Sequence, residues 1–91
     1  MRPVVENDIR QFLTDNFPLS SEGFSLAADD SLIEAGVIDS TGVLELIEFI
    51  ESRYEITVPD GEVLPENLDS VDRITRYVVG KIESRSRNGH G

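Results

Sequence analysis

This chain predicts an all-α fold, an up-and-down bundle of three main helices and one short helix, on three observations. Apolar residues recur at helical spacing in three separate stretches, no stretch alternates long enough to make a strand, and the long segment between the first two stretches sustains no period of its own. A length of 91 residues suits a single domain, because a chain this short lies near the lower limit for one core without disulfide or metal and cannot divide it.

The first helix is predicted from Pro3 to Asn16. Val5, Ile9, Phe12 and Leu13 share one face with Phe17 following, Pro3 suits a first turn, and Glu6 and Asp8 lie near the positive end of the helix dipole. Phe17 precedes Pro18, which disfavours helical dihedrals, so the helix stops there. Residues 18–39 then form a long loop, with Ser20, Ser21, Gly23 and Gly36 in it. A loop of that length in a small domain is expected to be pinned, and Phe24, Leu26, Leu32, Ile33, Val37 and Ile38 are the side chains available to pin it.

The second helix is predicted from Ser40 to Tyr54, where Val43, Leu46, Ile47, Ile50 and Tyr54 fall at i, i+3, i+4, i+7 and i+11. Glu45, Glu48 and Glu51 occupy its other face, and Leu44 and Phe49 widen the apolar stripe or lie at its edge. Glu55 to Pro59 reads as an extended connection, Asp60-Gly61 as a turn, and Pro65 to Leu68 as one short helical turn. The template returns in Val71, Ile74, Thr75, Val78 and Ile82, preceded by Asp69-Ser70, either of which could cap the helix. The expected core is Val5, Ile9, Phe12, Leu13, Leu46, Ile47, Ile50, Val71, Ile74, Val78 and Ile82. Gly36 is expected to supply a positive φ, and Gly42 to leave the start of the second helix uncluttered.

The formal charge is −10, unevenly spread. Residues 1–39 carry a net −6 and residues 40–70 a net −7, whereas residues 71–91 carry +3. An acidic body repels phosphate backbones, so nucleic acid is excluded as a partner and a protein with basic patches is the natural complement. The basic stretch Lys81 to Arg87 complements the negative end of the last helix. No run approaches the ~20 apolar residues of a membrane span, and no signal-peptide pattern opens the chain, so a cytoplasmic location is expected. There is no cysteine, and the one histidine, His90, lies in a polar tail, residues 85–91, expected to be disordered.

No ordinary catalytic constellation assembles from these residues. A Ser-His-Asp triad would need His90, and no phosphate-cradling glycine loop or dinucleotide fingerprint is present. A calcium loop starting at Asp29 or Asp60 puts Ile33 or Leu64 where an oxygen ligand is required. What remains is Gly36-Val37-Ile38-Asp39-Ser40-Thr41-Gly42, the joint between the long loop and the second helix. Local chemistry alone does not rank Asp39-Ser40 above Asp69-Ser70, because each pair precedes a helix of the same template.

The segment from Asp30 through Ser31-Leu32-Ile33-Glu34-Ala35-Gly36-Val37-Ile38-Asp39 to Ser40 resembles the approach to the modification site of acyl and peptidyl carrier proteins. Leu64 to Val71 resembles their short third helix leading into the fourth, and the likeness spans residues 4–83. The resemblance implies a carrier domain over residues 1–84, with 4'-phosphopantetheine from coenzyme A attached covalently to Ser40 and Asp39 supporting, by orienting the serine or binding magnesium during transfer. The arm would carry an acyl or aminoacyl group as a thioester, as in fatty acid, polyketide or nonribosomal peptide biosynthesis.

Such a protein is not itself an enzyme and holds no resident metal. It is a monomeric substrate of a phosphopantetheinyl transferase, then of an adenylate-forming acyl or aminoacyl ligase or an acyltransferase, then of a downstream synthase or transferase. Thr41, Glu45, Glu48 and Glu51 would form the docking face. Thr41 stands where the family most often has leucine, and Glu48 where many fatty-acid carriers have methionine. Both departures argue against a standard fatty-acid synthesis carrier, and the Gly-Val-Ile-Asp-Ser spelling of residues 36–40 is closer to stand-alone carriers loaded by adenylate-forming ligases, D-alanyl carriers among them. The alternative is an acidic helical interaction module in which Ser40 is only a helix N-cap.

Overall fold

The computed structural model describes residues 2–17, 27–36 and 38–88, with backbone alone for residue 40 and residues 85–88. Helix α1 spans Arg2–Asn16, α2 Ser40–Tyr54, α3 Pro65–Leu68 and α4 Val71–Asn88, with a 3₁₀ turn at Asp60–Glu62. The described residues contain no strand, and the helices pack as the expected bundle. Of the residues proposed to pin the first loop, Phe24, Leu26 and Val37 lie outside the described residues, as does His90. Helix α4 runs to Asn88, past residue 84 where the domain was expected to end.

Each helix sits where its sequence places it. Val5, Ile9 and Leu13 bury one face of α1, and the chain leaves it at Phe17, whose N–H still donates to Leu13 O at 2.9 Å before Pro18 forbids a further turn. In α2 the residues Leu46, Ile47 and Ile50 are buried. Its last turn closes on Glu55, which takes the left-handed conformation (φ 54°) that usually falls to glycine. Beyond it the chain is extended, and the period of two puts Ile56 and Val58 inside and Thr57 out. Helix α4 contributes Val71, Ile74, Val78 and Val79, while Thr75 is buried with its hydroxyl returned to Val71 O at 2.7 Å.

Side-chain bonds fasten the connections to these helices. The Val58 N–H donates to Glu51 Oε2 at 2.9 Å, and Tyr77 Oη donates to Glu62 Oε1 at 2.6 Å, with Lys81 Nζ 2.8 Å from the same oxygen. The hydrogen bond from Lys81, with that of Tyr77, lowers the Glu62 pKa, while burial and then the glutamate raise that of the Tyr77 hydroxyl. Between α1 and α2 the rings of Phe12 and Phe49 stack at 4.5 Å, and Tyr54 Oη donates to Asp8 Oδ2 at 2.9 Å.

The core differs from the sequence expectation at its edges. Phe12 and Ile82 are only partly buried, Phe12 because its ring lies against Phe49 at the margin of the α1–α2 contact. Leu32, Ile38, Ile56, Val58, Leu68 and Val79 join the core instead. Leu32 and Ile38 do pin the loop, but Ile33 does not, being 50 % exposed. Ile38 precedes α2 and Ile56 and Val58 follow it, so apolar residues of the connections extend the core beyond both ends of that helix.

Candidate functional site

The joint between loop and α2 is built from four residues whose roles separate cleanly. Asp39 is extended (φ −117°, ψ −173°) and caps the helix: its Oδ1 accepts from the Gly42 N–H at 2.8 Å and its carbonyl from the Val43 N–H at 2.9 Å. Ser40 is the first helical residue. Capping is therefore done by the aspartate, and the serine is not required for it.

The corner is tight at Gly42. A Cβ placed there would stand 2.7 Å from both Ile38 Cγ1 and Phe17 Cε1, so only a hydrogen fits. Gly36, by contrast, is needed for its backbone, at φ +74°. Gly42→Ala is expected to lower stability by ~1–3 kcal/mol through overpacking, read as a lower urea midpoint with an unchanged m value; an unchanged midpoint would mean that the corner is loosely packed.

The second Asp-Ser pair divides the work the other way. Ser70 is 2 % exposed, its Oγ accepts from the Arg73 N–H at 3.0 Å and its carbonyl from the Ile74 N–H at 2.9 Å, which makes it the cap of α4. Asp69 instead faces the first loop, accepting from Ser31 Oγ at 2.6 Å and from the Ile33 N–H at 3.1 Å. A buried, hydrogen-bonded hydroxyl offers no access to a modifying enzyme. The two pairs, alike in their local sequence chemistry, are thus structurally different.

Along α2 the residues Thr41, Leu44, Glu45 and Glu48 are exposed. Glu51 is half-buried and bound to Val58 N–H. Beside this face Ile33, Val43, Leu44, Leu64 and Leu68 line an open apolar groove of about 260 Å³, with Asp69 at its edge. Ile33, Leu44 and Leu64 are 50 %, 61 % and 40 % exposed, which makes the groove the main apolar feature of this side. The signal for Leu44 was present in sequence, since it falls one position off the apolar series Val43, Leu46, Ile47 and Ile50. Ile33 was expected to pin the loop and Asp69 was a possible cap, and neither expectation pointed to this groove.

Among the described residues no group of three or more histidine, cysteine, aspartate or glutamate side chains is placed to hold a metal, and no helix is long and apolar enough to cross a membrane. A negatively charged phosphodiester on the first residue of α2 fits the helix start. First-turn N–H groups have no intrahelical partners and carry the positive end of the dipole, and of these the Gly42 N–H is held by Asp39 Oδ1.

No family model matches the chain. It is similar to the D-alanyl carrier protein of Streptococcus suis, 43 % identical over 61 residues that make up 67 % of this chain and 77 % of that protein. The D-alanyl carrier protein of Streptococcus thermophilus is 38 % identical over 61 residues, again 67 % and 77 % of the two chains. That of Streptococcus uberis is 40 % identical over 60 residues, 66 % of this chain and 76 % of the relative.

Proposed function

The chain belongs to the acyl carrier protein family, and from that premise we propose that Ser40 bears a 4'-phosphopantetheine arm on which a small aminoacyl or acyl group travels as a thioester between partner enzymes. The observation that carries this reading is the division of labour at the loop–α2 corner: Asp39 takes the capping role, while the rival Ser70 is buried as a cap. D-alanine is the first cargo to try, because the similar streptococcal proteins are D-alanyl carriers.

The chain's own part is presentation. The helix dipole and first-turn N–H groups of α2 stabilise the phosphodiester, and the carboxylate of Asp39, whose Oδ1 holds the Gly42 N–H, orients the corner and assists magnesium when a transferase acts. The arm supplies the thiol, and partners supply the chemistry. We place the protein in the cytoplasm, where a phosphopantetheinyl transferase, an adenylate-forming ligase or acyltransferase and a downstream transferase or synthase meet it.

Incubation with a broad-specificity phosphopantetheinyl transferase, coenzyme A and magnesium is expected to add one arm, read by intact mass. The product is then offered to adenylate-forming ligases with D-alanine, other amino acids and short acids. No arm on the wild-type chain refutes the carrier role. An arm that accepts other acids but never D-alanine refutes the cargo.

The docking face of this reading is Thr41, Glu45 and Glu48, all exposed, with Leu44 and the apolar groove beside them. Glu51 belongs to it by position, but its bond to Val58 also ties it to the fold. Glu45→Lys combined with Glu48→Lys is expected to raise the KM for loading about tenfold at low ionic strength, an effect that shrinks as salt screens the partner's basic surface. Equal loading of parent and variant at low salt would remove the docking role.

A further inference from the structure

Three anchors tie the stretch 27–36 to the corner between α3 and α4, and all three end on one residue. Asp69 Oδ2 accepts from Ser31 Oγ at 2.6 Å, its Oδ1 from the Ile33 N–H at 3.1 Å, and its carbonyl from the Leu32 N–H at 2.8 Å. The Asp72 N–H reinforces them, donating to Ala28 O at 2.7 Å. Leu32, held between these bonds, is completely buried, and the Ile38 N–H returns to its carbonyl at 3.4 Å. Ile38 is buried too, against the place where Gly42 has no Cβ, and Asp39 with its cap follows directly. A continuous run of hydrogen bonds and packed side chains leads from the Asp69 carboxylate to the first turn of α2.

We propose that Asp69 is a positioning residue for the Asp39–Ser40 corner: its carboxylate holds the loop that sets the first turn of α2 in the orientation a modifying enzyme recognises. This rests on the reading that Ser40 carries the arm. A carboxylate suits the task because it only accepts, and its two oxygens take two donors from different parts of the loop in charge-assisted bonds. Released from it, the loop and the corner behind it sample other arrangements, and a partner that binds one arrangement sees its apparent affinity fall by the fraction still populated.

The full chain is compared with Asp69→Ala, with the milder Ser31→Ala and with Asp69→Asn. Asparagine is the conservative variant: its amide oxygen can take the Ile33 N–H, and Ser31 Oγ, which already accepts from Glu34 N–H at 3.2 Å, can turn to accept from the amide nitrogen. Val79→Ala is the control, a buried α4 residue that lowers stability without touching these bonds. Two quantities are measured where every variant is folded: amide exchange at Gly42 and Val43 by NMR, and kcat and KM of the carrier with a broad-specificity phosphopantetheinyl transferase.

Asp69→Ala is expected to raise KM by about tenfold with kcat little changed, as a tenfold loss of the competent arrangement requires, and to speed exchange at both amides by about tenfold or more, since exchange follows the open population. Ser31→Ala moves both quantities part of the way, Asp69→Asn restores most of the loss, and Val79→Ala leaves both near wild type. The proposal is overturned if Gly42 and Val43 exchange at wild-type rates in Asp69→Ala and Ser31→Ala, or if Val79→Ala accelerates them equally. Exchange needs no transferase, so the two readings fail separately. A chain whose Gly42 amide responds to Asp69→Ala, yet which never takes an arm, would lose the Ser40 assignment and keep the positioning of the α2 start.

Discussion

Ser40→Ala is expected to abolish attachment of the arm completely, while Ser70→Ala still takes one. The contrast is the informative part, because both serines follow an aspartate and precede a helix of the same apolar template. Ser40 opens α2 with Asp39 capping in front of it, so its replacement by alanine, a good helix former, leaves the cap bond to Gly42 N–H in place and the helix content unchanged. Ser70 is the cap of α4 and is buried, so Ser70→Ala costs ~1 kcal/mol or more of stability without removing the modified hydroxyl. Intact mass after transferase treatment, beside a thermal melt followed by circular dichroism, separates the four outcomes. An arm retained on Ser40→Ala would place the modification elsewhere.

Ile74→Ala is expected to have the largest effect on the fold. Ile74 lies in the first turn of α4 with no exposed surface, in the same cluster as Val5 and Ile9 of α1 and Leu46 and Ile50 of α2. Removing its outer carbons forfeits their burial and leaves a cavity that a bundle of this size can only partly close, at ~2–5 kcal/mol. Against a total stability of ~5–15 kcal/mol, that should lower the thermal midpoint by about 10 °C or more in a domain this small. Ile33→Ala is the matched comparison. The same chemistry is removed from a side chain that is half exposed, and the midpoint is expected to move by no more than a few degrees. Equal midpoints for the two variants would mean that the interior is not the one described.

The helices were legible because helical periodicity is a property of neighbouring residues. Val43, Leu46, Ile47 and Ile50 announce a buried face whatever they pack against, and Pro18 and Pro65 mark an end and a beginning through their own rings. The candidate corner was legible only in part. Asp39-Ser40 drew notice through its place after the loop and its likeness to a family, whereas Gly42 was expected only to leave the helix start uncluttered, and its tight packing against Ile38 and Phe17 was not readable. Which member of each Asp-Ser pair would cap was not readable, since both residue types are good caps and the choice turns on a single residue of helix register.

By itself, the sequence determined the helical class, the order and approximate extent of the elements, the acidic surface, and the serine at the head of the second helix, all of which follow from spacing and composition. Only the tertiary structure decided that Asp39 caps while Ser40 is relieved of it, that Ser70 is enclosed, that Glu51 turns to Val58, and that Asp69 ties down the loop before the site. The physical reason is distance along the chain. A hydrogen bond between Ser31 and Asp69, or the contact of Phe17 with the bare face of Gly42, joins residues that share no local pattern and meet only once the helices have packed.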